Sequence, residues 1–114
     1  MAYPTPSPAS TAAVQSQSVT IASGVATVSA LTPVILLAGE GSNADTLDTL
    51  TVANINAGDE TCLACAADET ITVDDANIDL GAATRAVAVG GSLGLRYDGT
   101  SWVETYFLTA ADNA

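Results

Sequence analysis

Short runs of β-branched and aliphatic residues alternate along this chain with clusters of Gly, Asn, Asp and Ser. Val19-Thr20-Ile21 opens the series. Ser23-Gly24 interrupts it and Val25–Val28 resumes it, a pattern that predicts a hairpin. After Thr32-Pro33 comes Val34-Ile35-Leu36-Leu37, which lacks polar alternation. Such a run is expected to be buried on both faces, or on one face with a subunit contact on the other. In 44–53, Leu47 and Leu50 are three apart and mimic a helical face, with Asp45 or Asp48 as caps. The threonines and Val52 favour a strand instead, placed at 48–54 and cut short by Asn54, Asn56 and Gly58. Further strands are expected at 60–66, 70–73 and 84–89, with an acidic loop (Asp74, Asp75, Asn77, Asp79) before Gly81. The strongest local signal is Asp98-Gly99 between Leu93–Tyr97 and Trp102–Leu108, the mark of a hairpin turn.

Eight or nine short strands and no convincing helix predict an all-β fold: a small antiparallel sandwich or jelly-roll-like barrel. No exact internal repeat is present, which argues against a long solenoid. Residues 1–17 hold Tyr3, Pro4, Pro6 and Pro8 among Ser, Thr, Ala and Gln, with no apolar period. They are read as a flexible or extended N-terminal arm. Two uses stay open for it, a disordered tail or an arm lying along a neighbouring subunit. The β domain is expected over 18–110 and a C-terminal tail over 111–114.

Composition narrows the function. The chain has 114 residues, 13 acidic side chains, two arginines, no lysine and no histidine, for a net charge of −11. Two cations cannot neutralise a run of phosphates, so no nucleic-acid partner is expected. Without imidazole there is no His-containing triad and no His-ligated metal. No apolar stretch is long enough for a membrane helix, and the N-terminus lacks the pattern of a secretory signal. The expected site of synthesis is therefore a cytoplasm. One small domain with an alanine-rich core and strong self-repulsion points to help from oligomerisation or from screening by salt or cations.

Candidate chemistry is sparse. Cys62-Leu-Ala-Cys65 has the spacing of a redox pair or half a zinc site, but no second pair accompanies it. In a strand, residues three apart point to opposite faces, which disfavours a disulfide. The two are read as small apolar side chains, at least one of them buried. Asp74, Asp75 and Asp79 could offer oxygens to a hard cation, yet the loop lacks a full calcium-binding pattern and reads as a solvated turn. No two carboxylates are singled out as an acid–base pair, and no serine or threonine has an activating neighbour. Enzyme is the weakest class, and no cofactor or metal is expected. Trp102 is expected to pack against Leu95, against 34–37 or against a partner chain. Aromatics on both faces of the last strand, Trp102 and Tyr106 on one and Phe107 on the other, suggest cover on both sides. Arg85 and Arg96 are each expected to pair with a carboxylate, Arg96 with Glu104 or Glu60 across strands.

The pattern Leu93-x-Leu95-x-Tyr97-Asp98-Gly99-x-x-Trp102-x-Glu104 resembles the closing hairpin of small β modules in tailed-phage virion proteins. The segments Gly58–Leu63 and Thr70–Val73 resemble the hairpin that precedes it, so the likeness covers about 46–107. Cysteines stand where that family has plain aliphatic residues. The resemblance implies a homotrimeric structural protein of the virion. The short chain and the arm favour a capsid decoration or cement subunit on the outer surface of the capsid, in contact with the major capsid protein. A tail- or head-fibre module that binds a host receptor or glycan is the alternative. The contact residues expected under this reading are Tyr3, Pro4, Pro6, Pro8, Ile35, Leu37, Trp102, Tyr106 and Phe107.

Overall fold

The computed structural model describes residues 16–66 and 68–112. Eleven strands form among them: β1 (Ser16–Thr20), β2 (Val25–Val28), β3 (Val34–Ala38), β4 (Ala44–Leu47), β5 (Thr49–Val52), β6 (Glu60–Cys65), β7 (Thr70–Asp74), β8 (Ile78–Asp79), β9 (Thr84–Ala88), β10 (Ser92–Tyr97) and β11 (Trp102–Leu108). They build three sheets, β1-β3-β6-β10-β11-β8, β2-β5 and β4-β7-β9. The all-β class holds, but the antiparallel sandwich or jelly-roll-like barrel does not. The fold is a β-solenoid of about three stacked turns. β1 pairs with β3, β3 with β6, β2 with β5 and β4 with β7, all in parallel. Successive strands turn corners into different sheets, and each lies on its counterpart from the previous turn.

Local chemistry shows why the corners form. Ser23 and Gly24 both take positive φ, 51° and 81°, and Ala22 and Val25 exchange two backbone hydrogen bonds of 2.9 and 3.0 Å. The turn is as tight as that of a hairpin, but β2 leaves along β5 instead of returning along β1. The strand expected over 48–54 forms as β5, and Asp48 marks the corner that separates it from a further strand, β4, not expected as a separate element. Likewise β6 and β7 belong to different sheets and do not form the hairpin that the resemblance implied.

The third turn ends the parallel stack. β9 runs antiparallel on β7, and β10 antiparallel on β6. The β10–β11 hairpin forms as expected, and Asp98 accepts hydrogen bonds from the amides of Thr100 and Ser101, both 2.8 Å. The Asn77 side chain acts as a substitute strand: its Nδ2 donates to the Leu50 carbonyl and its Oδ1 accepts from the Leu50 amide.

All three sheets face one core. It includes Val19, Ile35, Leu37, Leu47, Leu50, Leu63, Ile71, Val87, Leu93, Leu95 and Trp102. Alternation along each strand places these side chains inward and their neighbours outward. Trp102 is fully buried, and its ring lies 5.2 Å from that of Tyr97. Its indole Nε1 has no hydrogen-bond partner among the described residues.

Candidate interaction face

The outer side of the six-stranded sheet follows from strand register. Ser16, Val34, Cys62, Gly94 and Tyr106 stand side by side in one outward row. Ser18, Leu36, Ala64, Ser92 and Leu108 form the next. Glu60, Arg96, Val103 and Asp79 lie in the row on the other side of the first. Val34, Leu36, Cys62 and Leu108 are half-buried, while Tyr106 is 43% exposed. Of the 13 acidic residues, only Glu60 and Asp79 lie in these rows, and Arg96 stands opposite Glu60. The face is therefore weakly charged, −1 against −10 from the other eleven acidic residues and Arg85 elsewhere.

Tyr106 shapes this surface. A Cβ at Gly94 would overlap its ring, so glycine there lets the ring lie flat across β10. The phenol is pushed above its ordinary pKa, first by its hydrogen bond with the Cys62 thiol and then by burial. Beside the ring an open cleft of about 410 Å³ is lined by residues that include Leu31, Thr32, Glu60, Leu95, Thr105 and Tyr106.

The expected contact residues separate in space. Tyr3, Pro4, Pro6 and Pro8 lie outside the described residues. Ile35, Leu37 and Trp102 point into the core and are 0% exposed. Phe107 is half-buried, with the Arg85 guanidinium 4.8 Å above its ring. Only Tyr106 lies on the outer face. A β-bulge between Gly94 and Leu95 shifts the register, so that Tyr106 and Glu104 are not on one side as simple alternation implied. The outward partners of Ile35 and Leu37, namely Val34 and Leu36, are the residues that the expected set omitted. Their signal was present in the continuous apolar run at 34–37.

Charge partners also differ from expectation. Glu104 pairs with Arg85, Nε–Oε1 2.8 Å and Nη2–Oε2 2.9 Å, and accepts from the Gly81 amide at 3.2 Å. The Arg85 hydrogen bond holds the Glu104 carboxyl below its usual pKa. Arg96 sits opposite Glu60 in register but forms no ion pair within 4.0 Å among the described residues. Both cysteines are free. Cys65 turns inward, donates to the Val87 carbonyl at 2.7 Å, and is pushed up in pKa by burial, which makes it a poor nucleophile. Asp74 is shifted upward by burial and by the carboxyl of Asp48, towards which it turns. Among the described residues no three Cys, Asp or Glu side chains gather as a metal site. No helix among them is long and apolar enough to cross a membrane. No protein-family model, curated protein or solved structure matches this chain.

Proposed function

We propose that the chain is a structural subunit of a phage virion, a decoration or cement protein. In this reading it forms homotrimers on the outer surface of the capsid, contacts the major capsid protein and stabilises the head mechanically. The observation that carries the reading is the weakly charged, partly apolar outer face of the six-stranded sheet on a chain of net charge −11. Such a surface is suited to packing against other subunits, while the acidic remainder stays solvated and repels the packaged nucleic acid. The closing-hairpin resemblance supports the virion setting. Its residues serve the end of the solenoid: Leu93, Leu95 and Trp102 fill the core, Asp98 and Gly99 turn the chain, and Glu104 holds Arg85. The test is to purify intact particles from the producing lysate. The chain is expected to co-sediment with heads in stoichiometric amounts, and heads stripped of it are expected to burst at lower temperature. Its absence from purified particles would overturn the reading.

One observation favours a second reading, a fibre module that binds a glycan. The exposed Tyr106 ring borders a cleft that also holds Glu60 and the hydroxyls of Thr32 and Thr105, and a sugar stacks on an aromatic ring with its hydroxyls bonded at the rim. A glycan array in which binding is lost with Tyr106→Ala would favour it. Buried Trp102 contributes nothing to that cleft.

A further inference from the structure

We propose that the open edge of β2 accepts one added strand, that residues 3–9 of this chain supply it, and that the alternating prolines of that segment make it the terminal strand of the stack. The inference stands apart from the virion reading and concerns how the solenoid ends.

The edge comes first. β2 pairs with β5 alone. The carbonyls of Gly24 and Val28 accept from the amides of Thr49 and Ala53. Every second residue of β2 therefore turns its backbone groups toward β5, and Val25 and Thr27 turn theirs the other way. Val25 is engaged, since it exchanges two hydrogen bonds with Ala22. The amide and carbonyl of Thr27, whose side chain is exposed, face an edge on which no described strand pairs. β2 carries neither a charged residue nor a proline to discourage pairing. The far edge of the same two-stranded sheet is closed, because the Asn77 side chain bonds both backbone groups of Leu50.

The path of the chain names the occupant. Strands of the parallel stack lie on their counterparts one turn earlier, at an offset of 18 residues for Ser16 on Val34 and 24 for Val25 on Thr49. Counted back from Thr27, those offsets arrive at residues 9 and 3, outside the described residues. Between them lie Pro4, Pro6 and Pro8. A residue before proline is driven to extended backbone, which preorganises Tyr3, Thr5 and Ser7 for a strand. Successive residues of a strand turn their N–H and C=O to opposite edges. Prolines at every second position therefore strip one edge of its donors and leave the other, with Thr5 and Ser7, complete. Such a segment builds a ladder on one side only. Set on β2 through Thr5 and Ser7, it satisfies Thr27 and presents to solvent an edge on which no further strand, of this chain or another copy, can continue the stack.

The experiment is amide hydrogen exchange of the full chain, read residue by residue by NMR at several protein concentrations. It compares the wild type with Thr5→Pro/Ser7→Pro, which removes the donors from the pairing edge. The amides of Ala26 and Val28, which face β5, report whether the fold is intact. Thr27 is expected to exchange about tenfold or more faster in the double variant, at every concentration, with Ala26 and Val28 unchanged. Thr27 exchanging at the same rate in both proteins overturns the inference. So does a protection of Thr27 that disappears on dilution, which would place another copy on the edge. A second variant, Pro4→Thr/Pro6→Thr/Pro8→Thr, restores donors to the outer edge. In sedimentation equilibrium it is expected to form larger, concentration-dependent assemblies than the wild type. A mass distribution identical to that of the wild type would overturn the terminating role of the prolines.

Discussion

Two outward surfaces of the same solenoid are made differently. The outer side of the three-stranded sheet carries Ala44, Thr46, Thr70, Thr72, Asp74, Thr84, Ala86 and Ala88, small, hydroxylated or charged side chains that water serves well. The outer side of the six-stranded sheet carries Val34, Leu36, Cys62, Val103, Tyr106 and Leu108. Behind both lies one core, so the difference does not come from the interior. Threonine satisfies β preference without needing cover, because its hydroxyl remains hydrated. Leucine and tyrosine at the same kind of position leave apolar area that gains about 25 cal/mol for each Å² removed from water. One surface needs no cover, and the other leaves apolar side chains partly exposed.

The comparison can be broken most forcefully from beneath. Trp102→Ala removes the largest fully buried side chain, where the hairpin closes the core. A loss of about 3–5 kcal/mol is expected in chemical denaturation, enough to unfold a small domain. Leu63→Ala, inward on β6 between Ile35 and Leu93, is expected to lose about 2–5 kcal/mol. Neither should discriminate between the two outer faces, since both depend on the same core.

Surface substitutions should separate them. Leu36→Asp is expected to eliminate association while the circular dichroism spectrum stays unchanged. Thr72→Asp, at an outward position of the three-stranded sheet, is expected to leave association unaltered and to shift stability by only about 0.5 kcal/mol. Equal effects of the two on sedimentation would remove the distinction drawn here.

The smallest expected effects are electrostatic. Glu104, Asp45, Asp98 and Asp112 are all held below their ordinary pKa. The chief causes are the Arg85 hydrogen bond for Glu104 and backbone amides for the three aspartates. A carboxyl depressed in the folded state contributes stability above its unfolded pKa and loses it as pH falls through the folded value. Melting temperature should therefore drop below about pH 4. Arg85→Met should flatten the part of that drop owed to Glu104. Asp74 has the opposite sign: its raised folded pKa favours the folded state in acid, and the contribution is lost as pH rises. Asp74→Asn should accordingly raise the melting temperature slightly at neutral pH and leave it unchanged in strong acid.

Much of the strand inventory was legible in the chain. The runs at 34–37, 60–66, 70–73 and 84–89 are strands within a residue or two at each end, and Asp98-Gly99 marks a true hairpin. Their assembly was not legible. A strand with one buried face shows the same alternation in a sandwich and in a solenoid. The stacking offsets also differ, Ser16 on Val34 by 18 residues, Val34 on Cys62 by 28, Val25 on Thr49 by 24 and Ala44 on Thr70 by 26. Loops of unequal length erase the fixed period by which stacked turns are normally recognised. At Ser23-Gly24 the residues specify a tight turn but not the sheet into which the chain continues. At the candidate face, the apolar run at 34–37 places Ile35 and Leu37 in the core and leaves Val34 and Leu36 half-buried on the outer side. Which residues faced outward depended on a register that only the stacked neighbours set. The bulge at Gly94/Leu95 and the placement of β9 sent Glu104 to Arg85, leaving Arg96 and Glu60 without an ion pair.

The most direct measurement of the central claim is the labelling rate of Cys62, at the middle of the outer face, followed as protein concentration is varied in a Cys65→Ser background. Face-to-face packing predicts that labelling slows as concentration rises and recovers its fast rate on dilution. A rate that stays fast and constant across the range, while sedimentation over the same range shows copies associating, would contradict the claim that they meet through this face.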